Sequence, residues 1–283
     1  MDLMQGFTFE STFKKLKTNK IALIDADKVK YIVSYKVFNY LQSGEIEMFQ
    51  KDDIAIKFTK EFVNDIFDRI EDDCIFCFSG KSFYTFRNYI AFEKKYKGSR
   101  QEKVDKYDYP DKLNDMTAAV KYIMDNFNSL IFDDLEADDI ISILQDKNTY
   151  IISDDKDLKQ IPGFHYNYST NDLYEITNEQ ALYNLSTQLI KGDSTDDIVG
   201  MSGYGEVKTR NYLSQVKKHS HLVLSVLYLY QKTYGVFKGT DMFVETWNLV
   251  KLRENRGTYF LSKHQKMFDL KKMLFLKNGI ELK

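Results

Sequence analysis

Apolar positions follow two rhythms along this chain. "KIALIDAD" (20–27), "CIFCF" (74–78), "SLIF" (129–132) and "TYIIS" (149–153) are short apolar runs, as in strands buried on both faces. Between them, spacings near 3.6 residues predict helices. Ile54, Phe58, Phe62, Ile66 and Ile70 mark one over 53–71, a second covers 111–127, and Ala137, Ile140, Ile141 and Leu144 mark a third in "LEADDIISIL". "FHYNYS" and "DLYEIT" (164–177) alternate like a β pair at a sheet edge, and "NEQALYNLSTQLIKGD" reads as a helix. Strands alternating with helices predict an α/β fold, a central largely parallel sheet with helices on both faces. From about Asn178 the periodicity is helical. The expected domains are therefore 1–177, α/β, and 178–283, a helical lobe.

Composition changes this picture little. The 283 residues are 43% hydrophobic and 29% charged, ordinary for a globular chain with a sizeable core. The start, "MDLMQGFTFESTFKKLKTNK", has no apolar signal-peptide stretch, and no 18-residue apolar run offers a membrane span. A cytoplasmic protein without membrane contact is the expectation. Cys74 and Cys77 are too few for a disulfide framework or zinc site and read as small hydrophobes in a strand.

Charge changes it more. The net charge is −2, from 40 Lys+Arg against 42 Asp+Glu, which taken alone argues against a nucleic-acid binder. The acids, however, are concentrated. Asp25 and Asp27 follow the first apolar run; Asp154, Asp155 and Asp157 follow "YIIS"; Glu136, Asp138 and Asp139 open a helix; "KGDSTDD" brings Asp193, Asp196 and Asp197. A chain with its acids gathered in one place and a basic remainder can bind a polyanion once cations neutralise the acidic centre.

Singly, each cluster has an ordinary explanation: a solvated turn, or acids favoured at a helix start, with Asp133 and Asp134 as N-cap candidates. Together, acids recurring at the C-terminal ends of strands point to the edge where open α/β sheets hold ligands. Carboxylates without partnering His or Cys are hard oxygen donors suited to Mg²⁺ or Mn²⁺. Two such ions fit phosphodiester hydrolysis. Helical spacing makes Glu136 and Asp139 neighbours and turns Asp138 elsewhere. Gly200, Gly203 and Gly205 precede Lys208 and Arg210, a turn whose backbone N–H groups could meet a phosphate. The segment 81–106 interleaves lysines and arginines with aromatics. That suits single-stranded nucleic acid, and equally an amphipathic helix with a solvated basic face.

The order of "LIDAD", "FRNYIAFEKKYKGSR", "LEADDIISIL", "IISDDKDLKQIPG" and "LIKGDSTDDIVGMSGYG" over roughly 20–213 resembles the 5′→3′ exonuclease and flap endonuclease family, especially its short bacteriophage members. The resemblance implies a first metal site around Asp25, Glu136, Asp138 or Asp139, and Asp155, and a second at Asp157, Asp193 and Asp196. Asp155 would also be essential for catalysis. It implies Mg²⁺ or Mn²⁺, two or more ions, as cofactors. Tyr96, Lys97 and Arg100 match the family's YK-x-x-R at the base of a helical arch (about 80–110), where Lys97 and Arg100 would contact the scissile phosphate. Arg87 is a further DNA-binding candidate. The glycine turn, with Lys208, matches a helix–hairpin–helix (about 190–217) that grips duplex and holds a monovalent cation such as K⁺.

The implied function is a monomeric, metal-dependent 5′ nuclease hydrolysing DNA from 5′ ends or at 5′ flaps in phage replication or recombination. Its partners would be flap or nicked DNA, or an RNA/DNA hybrid. Two alternatives remain: a junction-binding protein with weakened catalysis, and a PIN-like ribonuclease. The first is motivated by Ser79, which stands where most of the family has aspartate. Asp197, in place of the usual Asn, is a smaller departure.

Overall fold

A computed structural model of the chain describes residues 15–80, 86–99, 117–132 and 135–254. Its centre is a six-stranded sheet in the order β3-β2-β1-β4-β5-β6. The strands are β1 (Ile21–Asp25), β2 (Cys74–Ser79), β3 (Ser129–Phe132), β4 (Thr149–Ile152), β5 (Gly163–Asn167) and β6 (Asp172–Ile176). All neighbours are parallel except β5 and β6, which pair antiparallel at the edge. The expected parallel layer and edge pair are both present.

Buried on both faces, the central strands need apolar residues at every position. Ala22, Ile24, Phe76, Phe78, Tyr150 and Ile152 point into one core. The alternate residues Leu23, Cys77 and Ile151 point into another. The first face is covered by α1 (Asp27–Gln42), α2 (Lys51–Phe67) and α4 (Thr117–Asn126). The second is covered by α5 (Ala137–Leu144), with Leu158, Ile161 and Leu252.

Periodicity does not announce α1. Its fully buried apolar residues are a single row, Val29, Val33 and Val37, narrower than the stripe that marks an amphipathic helix. Each of those valines still contributes about 1.5–3 kcal/mol by leaving water. α2 begins slightly before the predicted span and stops at Phe67. Ile70, read as its last apolar turn, is buried beyond the helix, where it bridges to Leu16. Residues 111–116 of the helix predicted over 111–127 lie outside the described residues.

Among the described residues, the stretch from Asn178 to Val250 is built of helices and one small hairpin; residues 255–283 of the expected helical lobe lie outside the described residues. The elements are α6 (Asn178–Lys191), β7 (Gly192–Asp193) paired with β8 (Ile198–Val199), α7 (Glu206–Leu213), α8 (Leu222–Tyr234) and α9 (Val236–Val250). They build a third core around Leu189, Val226, Leu227, Tyr230, Phe243 and Trp247, which Tyr96 joins from the far side of the sequence. The chain leaving α9 returns to the sheet. Gln160 donates to the Val250 carbonyl at 3.1 Å and accepts from Leu252 N–H at 3.0 Å. No helix among the described residues is long and apolar enough to cross a membrane.

Candidate active site

The sheet order reverses direction between β1 and β4, the switch point where open α/β sheets leave a crevice at the carboxyl edge. Asp25 ends β1, and Ser153 to Asp157 follow β4. Short bonds fix the two turns against each other. Ser153 Oγ donates to Asp25 Oδ2 at 3.2 Å and accepts from Asp155 N–H at 3.0 Å; Asp157 N–H donates to Asp155 Oδ1 at 2.8 Å. Asp157 opens a short 3₁₀ turn that buried Leu158 anchors.

The third contribution comes from α5, which begins at the edge of the same crevice. Its N-cap is Glu136, and not Asp133 or Asp134, which lie outside the described residues. Asp138 and Asp139 face opposite ways. Asp139 is fully buried in a bidentate pair with Arg87, at 2.7 and 2.9 Å, and also accepts from Arg253 N–H at 3.1 Å. Arg87 is itself only 1% exposed; it donates to the Leu249 carbonyl at 2.9 Å and to Glu136 at 2.9 Å. The expectation of Asp139 as a metal ligand and Arg87 as a DNA contact is thereby corrected: their charges are used on each other. Of the adjacent pair, Asp138 is the one that lines the cleft, as Glu136 does.

α3 (Phe86–Ile90) and the segment behind it close the other side. Tyr96 is buried, its hydroxyl 3.0 Å from both Glu136 Oε2 and Asp196 Oδ2, so it serves the acids and offers no ring for base stacking. Lys97 contacts Glu136 at 2.6 Å and Asp196 at 3.6 Å. Lys97 takes a left-handed backbone, φ 52°, and its N–H donates to the Asp196 carbonyl at 2.9 Å. Arg100 lies outside the described residues, as does most of the predicted arch.

The β7–β8 hairpin supplies the last acids. Asp193 accepts from Thr195 N–H at 2.7 Å and pairs with Lys156 at 2.9 Å. Asp197 is buried, paired with Lys94, and accepts from Ser99 N–H at 2.7 Å. Its φ of 59° is left-handed, a conformation Asp and Asn tolerate better than most residues. An aspartate for asparagine exchange there leaves the backbone undisturbed. Glu136, Asp138, Asp157, Asp193 and Asp196 all line one cleft of roughly 380 Å³, open solvent included.

The glycine turn sits behind this hairpin. Gly200 is not an open phosphate cradle. A Cβ there would strike the Lys191 carbonyl, and Met201 N–H donates to Ile190 at 2.7 Å, so Gly200 lets the turn close on the end of α6. Gly203, at φ 75°, and Gly205, the N-cap of α7, are exposed with Lys208, whose ammonium lies 3.9 Å from the Tyr204 ring centre.

Electrostatically the acids divide. Burial would raise Glu136, yet Lys97 and Arg87 more than offset it, down to about 2. Burial also opposes, and Lys156 and Lys94 overcome, in Asp193 and Asp197, both lowered. Asp25 and Asp157 go the other way. Burial first, then Asp27 and Asp155 for Asp25 and Asp155 and Asp193 for Asp157, push each from 3.8 to about 7. Burial, with Asp25 and Asp155 beside it, raises Asp138 well above the carboxylate range. Oxygen-only donors that resist ionising together fit a hard divalent cation, which would supply the countercharge the protein lacks. Among the described residues no three acid, His or Cys side chains form a ready-made cation cage. The fit rests on donor chemistry and unbalanced charge.

Sequence reasoning missed the partners. Lys156, sitting inside "SDDKD", and Lys94, in the basic segment, were visible as cations among acids. Gln188, which donates to Asp157 at 2.6 Å, and Ser153 carried no signal, because only folding brings them near.

A 5′-3′ exonuclease of Mycoplasmopsis pulmonis (strain UAB CTIP) is 28% identical over 221 residues, which cover 71% of this chain and 68% of that protein. T5 5′-exonuclease, solved with divalent metal ions (zinc) bound, matches with a TM-score of 0.55 at 18% identity, over 82% of this chain and 89% of that one. This chain is similar to the 5′→3′ exonucleases in sequence and fold. A pseudo-enzyme–product complex of the bacteriophage T5 flap endonuclease with DNA and metal ions gives the same TM-score at 17% identity, with the same coverage. No family model matches. The sequence relative is bacterial, so the likeness is not confined to phage proteins.

Proposed function

We propose that this chain is a divalent-cation-dependent 5′ nuclease that hydrolyses DNA phosphodiesters at 5′ ends or 5′ flaps. The observation that carries the reading is the convergence of Glu136, Asp138, Asp157, Asp193 and Asp196 on one cleft at the sheet's switch point, beside Asp25 and Asp155. Asp25, Glu136, Asp138 and Asp155 would hold one cation, and Asp157, Asp193 and Asp196 a second. When bound, two Mg²⁺ or Mn²⁺ ions activate water and stabilise the leaving 3′ oxygen.

The chain's own residues do the rest. Glu136 stays ionised because Lys97 and Arg87 hold it so. Tyr96 braces Glu136 against Asp196 and keeps the two sides of the cleft in register. Lys97, at the edge of the same cleft, would meet charge developing on the phosphate, with Arg100 as its partner in that role. Gly203, Gly205 and Lys208 present a turn for duplex backbone, in helix–hairpin–helix manner, with K⁺ as its candidate ion.

Incubation of the metal-free protein with 5′-labelled flap, nicked and blunt DNA, with and without Mg²⁺ or Mn²⁺, tests this. Cation-dependent cleavage of at least one substrate is expected, and none from a folded protein would overturn the reading. Tight flap binding without turnover would instead favour a junction-binding protein. A preference for RNA flaps would favour a PIN-like ribonuclease.

A further inference from the structure

The carboxyl edge of the sheet carries an acid at the end of β1 and acids after β4, but β2, on β1's other side, ends in Ser79 and Gly80. The position beyond β2 is nonetheless supplied with a carboxylate. Asp27, the first residue of α1, turns its side chain toward it. Asp27 Oδ1 accepts from Ser79 N–H at 3.0 Å and from Lys30 at 2.8 Å, and Oδ2 accepts from the Ser79 hydroxyl. Asp27 does not cap its own helix, whose N-cap is Ala26. Its N–H lies 3.3 Å from Asp25 Oδ1, so the two carboxylates occupy one short turn.

Ser79 is placed for this as no acid could be. Its Oγ accepts from Ala137 N–H at 2.9 Å, in the first turn of α5 beside Glu136 and Asp138. With that N–H donating to it, the hydroxyl commits its own proton to Asp27. An aspartate at 79 could also accept from Ala137, but it has no proton to give and would repel Asp27. Serine on the strand and aspartate on the helix are thus a matched pair, with the carboxylate coming from the helix.

We propose that Asp27 is a cation-facing carboxylate of the cleft, delivered from α1 and held by Ser79. The inference rests on the cation-dependent reading above. Calorimetric titration of the metal-free full chain with Mn²⁺ tests it, using the unsubstituted protein, Asp27→Asn, Asp155→Asn and the exchange Asp27→Ser with Ser79→Asp. Asp27→Asn should weaken Mn²⁺ binding on the order of tenfold or more, with the metal-free protein still folded by circular dichroism. The exchange should recover most of that affinity. Unchanged Mn²⁺ affinity in Asp27→Asn alongside a loss in Asp155→Asn would overturn this inference alone. Unchanged affinity in both would remove the cation reading of the whole cleft. Should Asp27→Asn not fold, the exchange variant decides by itself: near-native affinity supports the proposal, and lost affinity overturns it.

Discussion

The two sides of the acidic cleft are built from the same residue type and behave oppositely. On the side facing α3 and the β7–β8 hairpin, four buried or partly buried acids have cations beside them: Asp139 has Arg87, Glu136 has Arg87 and Lys97, Asp193 has Lys156, Asp197 has Lys94. On the side facing β1 and β4, Asp25, Asp138 and Asp157 are crowded by other acids and resist ionisation. In the first arrangement the protein supplies its own countercharge: at Asp139 and Asp197 as finished architecture, at Glu136 and Asp193 as lysines standing at the proposed cation sites. The second is a deficit of positive charge, kept for something that arrives from outside. An acid-rich motif in a sequence therefore mixes residues that finish a fold with residues that leave it unfinished.

The comparison can be broken most forcefully at its matched side. Arg87→Met strands Asp139 as a buried, unpaired charge and should cost about 3–5 kcal/mol, read as a drop in urea midpoint. Adding Asp139→Leu should recover much of that loss. Equal losses in the single and double variants would show that the ion pair does not matter. At the unmatched side, Asp155→Asn should lower flap cleavage by at least about 10²–10³-fold, the scale for losing a preorganised electrostatic group. Its DNA affinity should stay within a few-fold, and retained cleavage would refute the role.

Next in size is the pH response. Asp25 and Asp157 hold protons to about 7 in the folded, metal-free state and to 3.8 when unfolded. The folded state therefore binds more protons between those values, and stability falls as pH rises through about 7. Glu136, lowered toward 2, acts only below this window. The metal-free protein should melt at least about 2–4 °C lower at pH 8 than at pH 5.5. Saturating Mg²⁺ should narrow the gap by binding the folded state. A pH-independent Tm would mean that the crowding is relieved some other way. The smallest effect belongs to Lys208→Ala, far from either side. It should weaken duplex binding slightly and reduce the salt slope by about one, with cleavage at saturating DNA unchanged.

Much of the architecture was legible because the central strands are apolar on both faces and the helices α2, α5 and α6 carry wide stripes. α1 escaped because three valines in single file leave the rest of its surface polar or aromatic. At the site, residue type announced an acidic centre but not the division within it. Asp138 and Asp139 are adjacent and chemically alike. What separates them is Arg87, 52 residues upstream of Asp139, and a bond of that range leaves no trace in local spacing. Nor does local spacing show the role of Tyr96, since its hydroxyl partners come from two other elements. Ser79 looked like a loss until Asp27 appeared beside it.

The hairpin from Gly192 to Val199 carries Asp193 and Asp196 on its inner side and runs directly into the glycine turn at 200–205. Gly200, wedged against the end of α6, leaves no slack between them. The proposed duplex contact at the turn and the placement of the acids thus sit on one short lever. A duplex that fills the turn poorly should tilt that lever, so this protein would register a wrong substrate less as weak binding than as slow turnover.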